Sequence, residues 1–374
     1  MGIPAPLADF SRGARALAQT FSRAFPRPEI LLPPAAGLDL SDASLKWIVL
    51  REGSSGKEVR AFGREDLPAG AVVNGVIENI PALAEVLRAL KETMGVECIH
   101  AALPEESAYV FSMHVPNLTS REQVRSLIEF ELQDRVPIGP SDAIYDYDVI
   151  TERDGDGEIG VTVFPREHAE RYASVFEAAG LTLLSLEVEA SSIARAVSSR
   201  DEREPITLVV DFGELRTGLA VLKRGIPIFT STIAVGGGSI DRALAKLGLA
   251  PEAALKFKNE EGLLAREGKD SALLEVALGT ASALADEVVR HFHYWDTRRN
   301  ERGDKLTPLG QVFLLGGSGN LKGLADYLAS RVQVEAVRPT VWRHVCSFDE
   351  YIPPIERRVS LGYVTAIGLA LRGS

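Results

Sequence analysis

An aspartate, a glycine and a threonine follow an apolar stretch near the middle of the chain, and their chemistry suits a phosphate accompanied by a metal ion. Residues 207–222 form an apolar run, a short polar turn and a second apolar run, which predicts two strands joined by a turn. Gly213 would let backbone amides approach an anion, and the carboxylate of Asp211 suits a hydrated cation. Thr217 lies at the same turn. Because Asp-x-Gly is also common in ordinary hairpins, this turn by itself leaves a plain hairpin open.

A similar turn lies earlier in the chain, at the start of the globular part of the sequence. Residues 36–50 form an apolar run, a small polar turn and an apolar run rich in β-branched and aromatic residues. Asp39 takes the acidic position. Ser41 and Ser44 can donate hydroxyl groups to phosphate oxygens, and Lys46 can add a positive charge. A plain hairpin with a solvated lysine is the alternative.

Glycine-rich turns follow two later apolar runs. Gly237 and Gly238 precede a predicted helix, where free amides at the positive end of the helix dipole suit a phosphate, although a flexible link would look the same. Gly316 and Gly317 follow a predicted buried strand. The repetition of strand-then-turn elements favours one shared anion site over unrelated hairpins.

Composition restricts the kind of protein that carries these turns. A chain of 374 residues with 45% hydrophobic and 25% charged residues predicts a soluble protein of two lobes, at ~100–200 residues per domain. A net charge of −11 argues against general nucleic-acid binding. The two cysteines lie far apart, so a disulfide framework and a zinc site are not expected, and a reducing cytoplasm fits. No apolar run approaches the ~18 residues needed to span a bilayer.

Residues 6–27 depart from this acidic composition. Apolar residues recur at three- and four-residue spacing, and the segment contains four arginines and a single aspartate. This pattern predicts a basic amphipathic helix. The helix could lie on an anionic membrane, bind a partner or pack on its own domain. Four prolines in residues 26–34 predict a linker after it.

Helices and strands alternate through the rest of the chain, which predicts an α/β fold. Residues 198–205 are charged and irregular and mark the most distinct internal boundary. Residues 189–197 and 361–371 predict helices rich in Gly, Ala and Ser, and small residues favour close contact between helices.

The order of these elements resembles the superfamily of actin, sugar kinases and the Hsp70 ATPase domain. Residues 39–46 look like its first phosphate motif, 211–217 like its second and 315–320 like its adenosine motif. Within that superfamily the chain is most similar to the PilM family of cytoplasmic pilus-assembly proteins, over about residues 36–372. The segments that carry this likeness are 37–39 with 44–46, 129–138 with 145–147, 285–292 and 366–372.

The resemblance implies an actin-like ATPase (ribonuclease H-like) fold, with ATP and Mg²⁺ between two lobes. It implies binding of the nucleotide by Asp39, Ser41, Ser44, Lys46, Asp211, Gly213, Thr217, Gly237, Gly238, Glu287, Gly316 and Gly317, and of the metal by Asp39 and Asp211. Glu187 and Glu189, near the first connecting helix, are the candidates for orienting a water in hydrolysis, which we expect to be slow or dependent on a partner.

The resemblance also implies a partner and a domain plan. The partner would be the cytoplasmic N-terminal tail of a PilN-like inner-membrane protein, held as an extended peptide in a groove of the first lobe at the inner face of the membrane. Pilus motor ATPases and further copies of the chain are additional expected partners. The first lobe would span 36–200 with a subdomain inserted at about 98–190, the second lobe 201–360, and a C-terminal helix at 361–374 would return to the first lobe.

One departure from the family pattern concerns the first phosphate motif. Ser41, Asp42 and Ala43 replace its usual glycine and hydroxyl residue, which adds the carboxylate of Asp42 where a triphosphate is expected. That charge could weaken nucleotide binding or require a metal ion to screen it. An FtsA-like division protein and a metabolic kinase of the same superfamily stay open as alternatives.

Overall fold

The computed structural model describes residues 33–53, 56–116, 120–153, 156–265, 271–299, 303 and 305–372. The amphipathic helix predicted at residues 6–27 lies outside this part of the chain. Within it, no helix combines the length and the apolar character needed to cross a membrane.

Fifteen strands and ten α-helices make up the described fold. The strands are β1 (Ala35–Leu40), β2 (Ser44–Gly53), β3 (Gly56–Asp66), β4 (Val72–Val73), β5 (Val76–Ile77), β6 (Cys98–Leu103), β7 (Tyr109–Val115), β8 (Ala143–Arg153), β9 (Asp156–Pro165), β10 (Thr182–Val188), β11 (Thr207–Phe212), β12 (Thr217–Lys223), β13 (Ile226–Ile233), β14 (Gln311–Leu315) and β15 (Glu335–Val337). The helices are α1 (Ile80–Met94), α2 (Arg121–Arg135), α3 (Arg166–Ala179), α4 (Glu189–Val197), α5 (Gly238–Lys246), α6 (Pro251–Glu260), α7 (Ser271–Thr297), α8 (Leu324–Val332), α9 (Arg357–Ser360) and α10 (Val364–Ala370).

The first sheet has the strand order β10–β6–β1–β2–β3. Strand β1 pairs in parallel with β6 and antiparallel with β2, and β6 pairs in parallel with β10. Side chains alternate across the sheet, so Trp47 packs with Leu87 of α1 and Phe176 of α3, while its neighbour Ile48 packs on the opposite face with Ile193 of α4. Both faces of this sheet are therefore covered.

The second sheet has the strand order β15–β14–β11–β12–β13–β7–β9–β8. Its outer face packs against α7 through residues such as Leu284 and Val288. Its inner face contributes Val209 and Phe313 to the same apolar cluster as α4 and α10. The two helices that the sequence predicted to be in close contact thus lie between the two sheets.

Glycine makes this close approach feasible. A Cβ atom on Gly37 of β1 would lie 2.1 Å from the carbonyl oxygen of Ala366, and one on Gly368 would lie 1.8 Å from the carbonyl oxygen of Ser192. Neither position has room for a side chain. The sequence-based prediction of close helix contact at the C-terminal helix is confirmed.

The chain leaves the first sheet between β6 and β10. Because both strands belong to that sheet, residues 104–181 (the inserted segment) lie outside it, within the subdomain expected at about 98–190. Three strands of this segment, β7, β9 and β8, extend the second sheet through one pairing between Phe111 and Phe229. Strand β8 is consequently the edge of that sheet.

Candidate functional site

Five parallel strands bring the candidate residues together. Strands β1, β6 and β10 run in parallel in the first sheet, and β11 and β14 do so in the second. The carboxyl ends of parallel strands meet at one edge of a sheet, where ligands commonly bind in open α/β folds. The residues that follow these ends line a single cleft of about 540 Å³, among them Ser41, Glu105, Glu189, Gly213 and Gly316.

Two aspartates from opposite sheets lie in this cleft. Burial raises the pKa of Asp211 to about 6, and the nearby Asp39 adds to the shift. Burial also raises the pKa of Asp39, which is 8% exposed, while Lys46 opposes that shift with its Nζ 3.7 Å from Asp39 Oδ2. The structure thus brings together the acidic residues of the two predicted phosphate turns.

Two glutamates complete the acidic cluster. Burial raises the pKa of Glu189, the first residue of α4, well above its ordinary value, and Asp39 and Glu105 reinforce the effect. Glu105 accepts a hydrogen bond from the backbone N–H of Ala190 at 2.6 Å through Oε1. Its Oε2 is buried and has no hydrogen-bond partner within the described residues. Burial raises the pKa of Glu105 to about 7.

Such a cluster suits a hydrated divalent cation beside a polyphosphate. Among the described residues, eight carboxyl groups and four basic side chains line the cleft, so a polyphosphate would be repelled unless a cation accompanied it. In the described residues no group of three or more His, Cys, Asp or Glu side chains could hold a metal ion.

The turn between β1 and β2 is stabilised by hydrogen bonds of a serine hydroxyl group. Ser41 Oγ donates to the carbonyl oxygen of Ser44 at 2.8 Å and accepts from the Ser44 N–H at 3.2 Å. Both residues line the cleft. Ser41 is therefore committed to holding the turn in shape.

Asp42 does not stand free in the cleft. Its two carboxylate oxygens accept hydrogen bonds of 2.9 Å from the backbone N–H groups of Asn74 and Gly75, in the β4–β5 hairpin. Arg216, in the turn between β11 and β12, also forms an ion pair with Asp42. The charge conflict that the sequence suggested is largely compensated by these three contacts.

Two glycines that follow β14 line the cleft. Gly316 has a φ of +81°, and a Cβ atom on it would lie 2.6 Å from Asp211 Oδ1, so only glycine lets β14 end this close to β11. Beside it, a Cβ atom on Gly317 would meet nothing within 4 Å. The N–H of Gly316 donates to the carbonyl oxygen of Leu361 at 3.3 Å, so the space left for a ligand is the one beside Gly317.

Several predicted residues lie elsewhere. The N–H groups of Gly237 and Gly238 donate to the carbonyl oxygens of Gly213 and Glu214, at 3.0 and 2.8 Å. They therefore stabilise the β11–β12 turn and are not free for phosphate. Thr217 is fully buried and donates to the carbonyl oxygen of Val235 at 2.6 Å. These three residues stabilise the β11–β12 turn and do not line the cleft.

Glu287 and Glu187 are also outside the cleft lining. Glu287 of α7 forms an ion pair with Arg290. The side chain of Glu187 is 8% exposed and pairs with Arg195 and Arg372. Of the two glutamates predicted as catalytic candidates, the structure brings only Glu189 to the cleft.

A smaller cavity of about 240 Å³ shares the lining residue Leu361 with the cleft. Lys258 and Asp241 lie on the cleft side, with 2.5 Å between Nζ and Oδ1, and Asn259 follows on the cavity side. Arg358 lines the cavity as well. Sequence reasoning missed these residues and Glu105; the position of Glu105 directly after a parallel strand was the available signal for the latter.

A separate groove of about 740 Å³ lies between the first sheet and the inserted segment. Its walls are the edge strand β8, the end of β10, the helix α4 and the β12–β13 turn. Glu187, Arg195 and Arg372 form an ion-pair network in it, and Arg195 also donates to the carbonyl oxygen of Gly368 at 2.8 Å. Within the described part of the chain, the groove therefore combines the unpaired edge of β8 with charged side chains of both signs.

Replacing Glu105 by Gln is expected to remove one source of pH-dependent stability in metal-free buffer. Because the pKa of Glu105 rises from 4.5 to about 7 on folding, the folded state binds more protons in this window, and stability falls as pH rises through it. The amide oxygen of Gln keeps an acceptor for Ala190 without the charge. E105Q should match the parent at pH 5 and exceed its unfolding free energy by roughly 2–3 kcal/mol at pH 8.

Urea unfolding at the two pH values measures this difference. E177Q, on the exposed surface of α3, is the control and should follow the parent at both values. An equal gap between E105Q and the parent at pH 5 and pH 8 would contradict the assigned pKa.

Comparison with known proteins identifies the family of this chain. The family model for type IV pilus assembly protein PilM matches residues 37–374. The chain is similar to a solved PilM–PilN type IV pilus biogenesis complex, with 20% identity, coverage of 91% of this chain and 98% of that chain, and a TM-score of 0.72. It is also similar to ethanolamine utilization protein EutJ from Carboxydothermus hydrogenoformans (20% identity, 91% and 90% coverage, TM-score 0.52). MreB5 of Spiroplasma citri bound to AMPPNP is a third neighbour (14% identity, 89% and 94% coverage, TM-score 0.51). The predicted actin-like α/β fold is confirmed.

Proposed function

Because the chain belongs to the type IV pilus assembly protein PilM family, we propose that it is an ATP-binding scaffold that holds the cytoplasmic tail of a PilN-like inner-membrane protein. The observation that carries the nucleotide part is the cleft itself, where Asp39 and Asp211 from opposite sheets face a glycine turn. Family membership favours this function over an FtsA-like division protein or a metabolic kinase.

The cleft supports specific roles for its residues. Asp39 and Asp211 would hold Mg²⁺ through its water shell, and the cation would screen the negative charge of the phosphates. Lys46 would contact the phosphates as a point charge. The backbone at Gly317, where a Cβ atom would meet nothing within 4 Å, would lie against them. Gly213 would instead shape the β11–β12 turn, because its N–H donates to the carbonyl oxygen of Arg216 and its own carbonyl oxygen accepts from Gly237. Ser41 and Ser44 would fix the shape of the β1–β2 turn.

The nucleoside would occupy the part of the cleft near Leu361, beside the smaller cavity. Lys258 lines the cleft and Asn259 and Arg358 line the cavity, and these polar groups can hydrogen-bond a base and ribose. This proposal replaces Glu287, Gly237 and Gly238, which do not line the space.

Hydrolysis in this cleft would be slow without a further trigger. Glu189 is the candidate to orient a water molecule, but a carboxyl group with a raised pKa is a poor proton acceptor while it is protonated. A bound cation would favour its ionised form, as would a rearrangement of the neighbouring Glu105. We therefore expect turnover to depend on Mg²⁺ and on the partner.

The groove beside β8 is the proposed site of the PilN-like tail. An extended peptide can add a strand to an exposed sheet edge, and its side chains can then occupy pockets beside that edge. Ile144 and Tyr145 of β8 line the groove, opposite Ser191 of α4. The solved PilM–PilN complex, similar to this chain in fold, is consistent with a partner of this kind.

Attachment to a tail would place the protein on the cytoplasmic face of the inner membrane. The basic segment 6–27 would strengthen that attachment through anionic lipids. Contacts with motor ATPases and with further copies of the chain belong to the same proposal.

Two titrations of the unmodified chain test the proposed function. Calorimetry should detect ATP binding that requires Mg²⁺, and a synthetic peptide of the cytoplasmic N-terminus of a neighbouring PilN-like protein should bind with one site per chain. A scrambled peptide is the control. Absence of heat and of thermal stabilisation with ATP and Mg²⁺ would refute the nucleotide site, and equal binding of the scrambled peptide would refute the tail site.

A further inference from the structure

Arg216 links three parts of the cleft wall that are far apart in sequence. It lies in the turn between β11 and β12, and its guanidinium forms ion pairs with Asp42 in the β1–β2 turn and with Glu106 at the entry to the inserted segment. All three side chains are mostly buried, with exposures of 22%, 13% and 20%. The arginine therefore crosses the cleft from the second sheet to the first.

The position of Arg216 is unusual because it belongs to one proposed phosphate turn and touches the other. The remaining basic residues of the cleft are placed differently. Lys46 lies near the buried Asp39, Lys258 pairs with Asp241 toward the nucleoside end, and Arg64 is half exposed, 3.9 Å from Glu214. Arg216 is thus the cation held directly between the two turns.

A guanidinium group offers five N–H donors in a planar fork that matches a phosphate group. Asp42 retains two backbone hydrogen bonds without the arginine, whereas Glu106 is held in the cleft wall by its ion pair with the arginine. An incoming phosphate can therefore compete with Glu106 for part of the fork while Asp42 stays in place.

On the basis of the proposed ATP site, we propose that Arg216 binds the terminal phosphate and is the residue by which this cleft distinguishes nucleoside triphosphates from diphosphates. A diphosphate lacks the group that replaces Glu106, so the ion pair between Arg216 and Glu106 persists. With a triphosphate, Arg216 turns from the inserted segment toward the ligand. The side chain acts in binding and needs no part in hydrolysis.

The test compares ATP and ADP affinities in the presence of Mg²⁺ for the full chain, R216Q and R216K, by competition with a fluorescent nucleotide. R216Q should weaken ATP binding about 10- to 100-fold and ADP binding less than about 3-fold, and R216K should recover part of the loss. E106Q, which removes the competing carboxylate, should tighten ATP binding several-fold and leave ADP unchanged.

R64Q is the matched control, because Arg64 lines the same cleft and lies near a carboxylate of the β11–β12 turn. It should leave the ratio of ATP to ADP affinity at the parent value. Equal losses of ATP and ADP affinity in R216Q would overturn the inference while leaving the proposed function intact. Failure of the unmodified chain to bind either nucleotide would overturn the proposed function, and the inference with it.

Discussion

Replacing Asp211 by Asn or Ala should abolish most Mg²⁺-dependent ATP binding while the protein stays folded. Asp211 and Asp39 are the two carboxylates proposed to hold the hydrated cation, and losing an outer-shell partner of a metal weakens its binding about 10- to 100-fold. Asn removes the charge with almost no change in shape. Because burial raises the pKa of Asp211 to about 6, the neutral residue also relieves a buried charge at neutral pH.

Calorimetric titration with ATP, with and without Mg²⁺, measures this effect, and thermal unfolding verifies the fold. D286N is the matched control, since Asp286 of α7 pairs with Arg331 and does not line the cleft. It should bind ATP like the parent. Unchanged affinity in D211N would refute the assignment of this cleft as the nucleotide site.

The two aspartate turns could be predicted because their signal is local. An apolar strand followed by an acid and small residues is visible in the sequence, and parallel strands bring such ends to one edge of a sheet. Helix α2 begins on the same kind of local signal, because Ser120 accepts a hydrogen bond from the Gln123 N–H at 3.2 Å, as a helix cap does.

A local turn signal sets the start of the first helix. Apolar residues recur at helical spacing from Ile77 onward, but α1 begins only at Ile80. Asn74 and Gly75 have φ angles of +51° and +74° and form the turn between β4 and β5. Asn-Gly is a strong hairpin signal, and here it takes precedence over the apolar period.

Residues whose role depends on packing between distant segments could not be assigned in advance. Gly237 and Gly238 look like a phosphate loop, but their N–H groups donate to the β11–β12 turn. Glu187 and Glu189 are two residues apart, at the end of β10 and the start of α4, and only the fold shows that they line different spaces. The importance of Arg216 likewise emerges only from its contacts with two other segments.

Replacing Ser191 by Trp should block the proposed tail groove while leaving nucleotide binding intact. Ser191 lines the groove on α4, and an indole there would fill the space opposite β8 that an extended peptide needs. We expect a loss of roughly 2–4 kcal/mol in the free energy of peptide binding, the scale of a binding hot spot. Glu189, which lines the cleft instead, keeps its identity and its place at the start of the helix.

Fluorescence anisotropy with a labelled tail peptide measures the affinity, and an ATP titration of the same variant verifies the cleft. S174W is the matched control, because Ser174 is an exposed serine on another helix, α3, and lies outside the groove lining. It should bind both ligands like the parent. If S191W retained parent affinity for the peptide, the tail would have to bind elsewhere; if it lost peptide and ATP binding together, α4 would be coupling the groove to the cleft, and the two sites could not be treated as independent.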